Sequence, residues 1–151
     1  MVKAYVESLL EDLTGTEKVS PDHDGDYPVR YRSALYYVRV LDGREPVVQI
    51  FAVAVADVKA TDSLMRDLND INAQLQFCRA FWVQDQILFE AEHLGLGLTP
   101  NDFHERIVAV AGAADHFGGK LAARYDGRTA FTDEQDEDYT PPEDPPAAGY
   151  L

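Results

Sequence analysis

The chain has 151 residues, with 27 acidic and 13 basic side chains and a formal net charge of -14, a length suited to one domain around one core. So acidic a surface repels phosphate backbones, which disfavours nucleic acid as a partner and favours a basic or amphipathic protein segment. Cys78 is the only cysteine, which excludes an internal disulfide and a multi-cysteine metal site.

In chain order, residues 2–13 predict a helix with an apolar stripe through Tyr5 or Val6, Leu9, Leu10 and Leu13, ended by Gly15. The opening MVKAYVESLL has no apolar segment long enough for a signal peptide, and no run approaches the ~20 apolar residues of a membrane span, so a cytoplasmic protein without membrane contact is expected. A short extended piece is expected at 17–20. The stretch DHDGDYPV that follows carries acids at 22, 24 and 26, which invites a calcium reading because a hard cation wants several carboxylate oxygens. Position twelve of that stretch is Ser33 rather than Glu, and Gly25 sits at position four rather than six, so a solvated acidic turn is the better account.

Residues 27–33 alternate Tyr27, Val29 and Tyr31 against Arg30 and Arg32, as a half-buried strand does. Two further strands, 34–41 and 47–55, flank the turn residues Asp42, Gly43 and Pro46. In the first, Ala34, Tyr36, Val38 and Val40 form the buried face, and Leu35, Tyr37, Arg39 and Leu41 the wetter one. The second is apolar on both faces and predicts a central position in the sheet. Behind the N-cap candidates Thr61 and Asp62, the positions Leu64, Leu68, Ile71 and Leu75 define an amphipathic helix that also carries Asn69, Asp70 and Asn72. A strand at 77–83 puts Phe77, Phe81 and Val83 opposite Cys78, Ala80 and Trp82, and turns at Gln84 and Asp85 into a last strand at 86–91.

LGLGL at 94–98 lacks the third glycine and the lysine of a phosphate loop and reads as a connection. Thr99 and Pro100 then open a long helix, whose seam runs through Phe103, Ile107, Val110, Ala114, Phe117, Leu121 and Tyr125. The seam suits a helix laid across a sheet face, the alternative being dimerisation, and Gly118 and Gly119 make a kink or early end conceivable. Residues 127–151 have seven acids, one base and half of the eight prolines, a composition that predicts a disordered tail following a domain at 1–126.

Catalytic chemistry finds little support. His104 and His116 are twelve residues apart, about 120° around one helix, and cannot share a metal ion. A small-molecule or metal-dependent enzyme would have to converge His93, His104 and His116 with Glu90, Glu92 or Asp115. Ser33, Ser63 and Cys78 have no nucleophile context. No catalytic residue, metal ligand or cofactor is assigned.

DGDYPVRY, SALYYVRVLDG, VVQIFAVAVADV, LNDINAQLQFCRAFWV and ADHF, in this order, resemble the YbjN-like domains, a family related in fold to the type III secretion chaperones. The resemblance implies an α+β fold of helix, three-stranded antiparallel meander, helix, two-strand hairpin and long C-terminal helix, the order that periodicity also gives. It further implies a non-enzymatic module, often homodimeric, that holds peptide segments of a client on exposed apolar surface. A looser label of sensory regulator also attaches to the family, and a purely self-associating regulatory domain is the remaining alternative. Leu35, Tyr37, Phe51, Phe81 and Trp82 are the candidate partner-binding residues. Each buried aromatic is worth roughly 2–3 kcal/mol, so two or three anchors would support a micromolar contact. Edge-strand addition is a second route.

Overall fold

The computed structural model describes residues 1–131. From residue 132 onward the expected disordered tail lies outside the described residues. The elements are α1 (Val2–Thr14), β1 (Tyr27–Tyr31), β2 (Ala34–Leu41), β3 (Val47–Ala56), α2 (Asp62–Asn72), β4 (Arg79–Val83), β5 (Gln86–Leu94) and α3 (Pro100–Tyr125), with a single 3-10 turn at Gly95–Gly97 before α3. The five strands form one antiparallel sheet in the order β1-β2-β3-β5-β4. This is the α+β architecture expected, with β3 at the centre as its two apolar faces require.

Two-residue turns set the hairpins. Tyr31 pairs with Ala34 across Arg32 and Ser33, and Val83 pairs with Gln86 across Gln84 and Asp85. Gln84 and Asp85 both have positive φ, the backbone handedness that matches the twist of the strands. Helix starts follow the sequence: the Thr61 side chain accepts from the Leu64 N–H, and the Thr99 hydroxyl oxygen accepts from the Asp102 N–H. Gly15 closes α1 in the left-handed conformation.

The helices form one layer. α3 lies across the inner faces of β3, β5 and β2, burying Phe103, Ile107, Val110, Ala114 and Leu121 against Val48, Ile50, Ala52, Ile87 and Phe89. α1 is tied to the β1 side of the sheet, where the Tyr27 hydroxyl donates to Glu7. α2 packs alongside α3, with the Tyr125 hydroxyl donating to Asp67, and also contacts β4.

Several expectations need correction. α3 runs unbroken through Gly118 and Gly119. The β3–β5 register shifts between Val53 and Val55, and a Cβ on Gly118 would stand 3.4 Å from the Ala54 carbonyl oxygen, so glycine there permits close packing. No strand forms at 17–20. β1 stops at Tyr31, where Arg32 takes a positive φ. β4 begins at Arg79, because Phe77 also has positive φ and leaves the strand 73% exposed. β5 extends to Leu94 through its pairing with β3. Finally, the main chain of Arg128 exchanges both hydrogen bonds with Ala56, at 2.8 and 2.9 Å. Gly127 makes that path possible, since a Cβ there would lie 2.3 Å from Val55 Cγ1.

Candidate functional site

Strand alternation sends every second side chain away from the helices. Across the sheet, Pro28, Tyr37, Phe51, Glu90 and Arg79 stand opposite one another in one row. The next row contains Arg30, Leu35, Val53, Leu88 and Phe81, and Leu41, Val47 and Leu94 form another toward the far end. Leu35, Tyr37, Phe51, Val53, Phe81 and Leu88 are all half-buried, shielded by their neighbours but covered by none of the three helices. Leu41 and Leu94 are more exposed still.

Four of the five candidate residues meet on this face: Leu35, Tyr37, Phe51 and Phe81. Trp82 does not join them. It pairs with Ile87 on the helix side, and its indole N–H donates to the Val58 carbonyl at 2.7 Å. Val53, Leu88, Leu41, Val47 and Leu94 are additional members. Their signal was present in the alternation of β2, β3 and β5, once the covered face is known.

Ring contacts pack the surface side chains against one another. Tyr37 and Phe51 stack with centroids 5.2 Å apart, and the Arg39 guanidinium lies 4.8 Å over Phe51. Arg39 also makes a bidentate contact with buried Asp26, 2.6 Å on each arm. The Asp26 contact raises the Arg39 pKa. At the other side Arg79 holds Glu90 at 2.6 Å and lies over the Phe81 ring. Burial, and then the charges of Asp22, Asp26 and Asp24, raise the Tyr37 hydroxyl pKa, so the face is bordered by negative potential near Tyr37.

That acidic turn satisfies itself. Asp22 Oδ1 accepts from the Asp24 and Asp26 N–H groups at 3.0 and 2.9 Å, which is the turn chemistry expected of aspartate. Among the described residues, no group of three or more His, Cys, Asp or Glu side chains could hold a metal ion. His93 lies by Asp102, His104 by Glu105, and His116 packs edge-on to Phe117. Glu90 is engaged by Arg79, and Asp115 accepts from both the Ser33 N–H and its hydroxyl. The convergence that an enzyme built on these histidines requires is therefore not formed. Burial pushes the Cys78 thiol up to about 11, away from nucleophilic use.

At the β3 end the face deepens into a cleft of about 340 Å³, lined by Leu35, Tyr37 and Val53 on the sheet and by Arg128, Thr129 and Ala130 after α3. Phe131 follows, with Arg30 stacked 3.7 Å over its ring. No helix among the described residues is long and apolar enough to cross a membrane.

A two-layer α+β domain with a helix-free apolar sheet face is the class of protein that these features define. The chain belongs to the family of T3SS (YopN, CesT) and YbjN peptide-binding chaperones, type 1, whose model matches residues 1–133. A chain from the crystal structure of the ExsC–ExsE complex has the same fold, with a TM-score of 0.61 and 18% identity over 78% of this chain and 94% of that one. No curated protein matches the sequence.

Proposed function

We propose that this chaperone-family domain binds rather than catalyses, and holds a client segment on the helix-free face of its sheet. The observation that carries the reading is the continuous, half-exposed apolar surface formed by Leu35, Tyr37, Phe51, Val53, Phe81 and Leu88. Contiguous apolar surface of this kind marks interaction sites on soluble domains, and family membership makes a peptide the natural occupant. The occupant is an amphipathic segment: its apolar side chains lie on Tyr37 and Phe51, and its basic side chains approach Asp22 and Asp24, which border Tyr37. A client protein or peptide of this chemistry fits the acidity of the chain.

The test is site-specific photocrosslinking in the full chain, with benzophenone side chains placed at Phe51 and Phe81 and, as a control on the helix layer away from the α2–α3 groove, at exposed Glu105. Adducts with unfolded, lysine-rich model polypeptides from positions 51 and 81 but not 105 are the expected result. Equal yields at all three positions, or none, would overturn the assignment.

The domain acts as a homodimer in this reading. What supports it is a groove of about 210 Å³ between α2 and α3, in which Arg124 pairs with Asp67 at 3.2 Å and exposed Asp70 and Lys120 stand on opposite banks, a charge pattern that complements its own copy about a two-fold axis. Light scattering with Lys120→Glu, expected to release monomers, is the check, and an unchanged mass would refute this interface.

A further inference from the structure

β4 is an outer strand of the sheet, and outer strands present main-chain groups ready to pair with another chain. The sequence Arg79–Val83, RAFWV, is short but strongly strand-forming, with two aromatic residues and one charge. Residues of an antiparallel strand alternate between turning their N–H and C=O toward the neighbour and away from it. Ala80 turns them away from β5: its N–H donates to Asn72 Oδ1 at 2.8 Å and its carbonyl accepts from Asn72 Nδ2 at 2.9 Å.

One carboxamide thus reproduces both hydrogen bonds that an added strand would make at this point. Asn72 is the last residue of α2, so the helix delivers the group to the strand edge with little freedom to leave. Two residues further along, the Trp82 indole fastens the chain before α2 to the same strand through Val58. The opposite outer strand, β1, has Pro28 within it, which lacks an N–H to offer.

We propose that Asn72 is an edge lock: its side chain occupies the β4 positions through which a second copy of this chain would otherwise pair, strand to strand. A second copy is the relevant partner because an antiparallel pair centred on Phe81 would set Ala80 of each copy against Trp82 of the other and extend the sheet across a two-fold axis. This lock also decides how a client engages: the β4 edge is closed to strand addition, which leaves the open face. The inference concerns self-association, and does not depend on the client reading.

The experiment compares the full chain with Asn72→Ala and with Asn72→Ala/Ala80→Pro by light scattering across a concentration series, and the first two also by amide exchange at Ala80. Asn72→Ala is expected to speed Ala80 exchange in dilute solution by about tenfold or more, and to add concentration-dependent association beyond that of the parent. Proline at 80 removes the outward N–H, which is not one of the bonds to β5, so the double variant is expected to return to the parent mass. Asn72→Asp retains the acceptor for the Ala80 N–H and serves if the alanine variant does not fold, with association expected between the two. An unchanged exchange rate at Ala80, or faster exchange without added association, would overturn the proposal, as would a double variant that associates as strongly as Asn72→Ala.

Discussion

Glu90 sits under the partner face with 7% of its surface accessible, held by an Arg79 side chain that is itself 63% exposed. Removing the guanidinium with Arg79→Met strands a nearly buried carboxylate between Phe51 and the strand edge. Breaking a fully buried pair costs about 3–5 kcal/mol, whereas exposed pairs are worth about 0–1. Arg79 is mostly solvated, and its removal also opens Glu90 to water, so a loss of about 1–2 kcal/mol is expected. Glu90→Leu instead leaves the arginine in solvent near Glu92, 3.7 Å away, and adds an apolar side chain beside Phe51. Its effect should stay within about 1 kcal/mol of zero. The double variant should resemble Glu90→Leu alone, giving a coupling energy of about 1–2 kcal/mol in the cycle, equal to the Arg79→Met loss. Urea unfolding at neutral pH reads all four proteins. If the two single losses simply add, or if Glu90→Leu costs more than Arg79→Met, the account of a carboxylate dependent on its guanidinium is wrong.

Phe89 is fully buried and stacks on Phe117 at 6.0 Å, so Phe89→Ala should destabilise by about 3–5 kcal/mol in the same assay. Thr99→Ala removes the α3 cap and should cost about 1 kcal/mol. The cap also has a pH signature: the Thr99 hydroxyl bond lowers the Asp102 pKa, and the Gln49 amide lowers that of Glu92. A depressed folded-state pKa gives stability that is present above the unfolded value, so a loss should appear as pH falls below about 4. The acid limb of a stability-pH profile should therefore flatten in Thr99→Ala. Cys78, pushed up to about 11 from an ordinary value of 9.0, should have roughly a hundredfold less thiolate at neutral pH and alkylate correspondingly slowly, which mass spectrometry with iodoacetamide measures against an unfolded control.

Local chemistry made the elements legible. Thr61 and Thr99 announced their helices, Gln84 and Asp85 their turn, and the apolar run of β3 its central place. Sheet order was less accessible, because alternation in β3 and β5 does not say that these two strands pair across an intervening helix and strand. The same limit explains Trp82: period two separated it from Phe81, yet only the position of α2 and α3 decides which of the two faces is covered. Phe77 was drawn into β4 by its aromatic side chain, whereas the backbone had already turned at that residue. Asn72 is a polar residue on an amphipathic helix until Ala80 arrives beside it, eight positions later. Gly127 depends on Val55 and Val58 in the same way, since the demand for a residue without a side chain arises only when distant strands close around it.

The tight seat of Gly127, and the paired main chain of Arg128 after it, make residues 128–131 a fixed mount at the mouth of the cleft. A small environment-sensitive dye attached at Thr129 would therefore stand within a few side chains of Tyr37 and report occupancy as a change in colour or brightness, turning the domain into its own titration sensor.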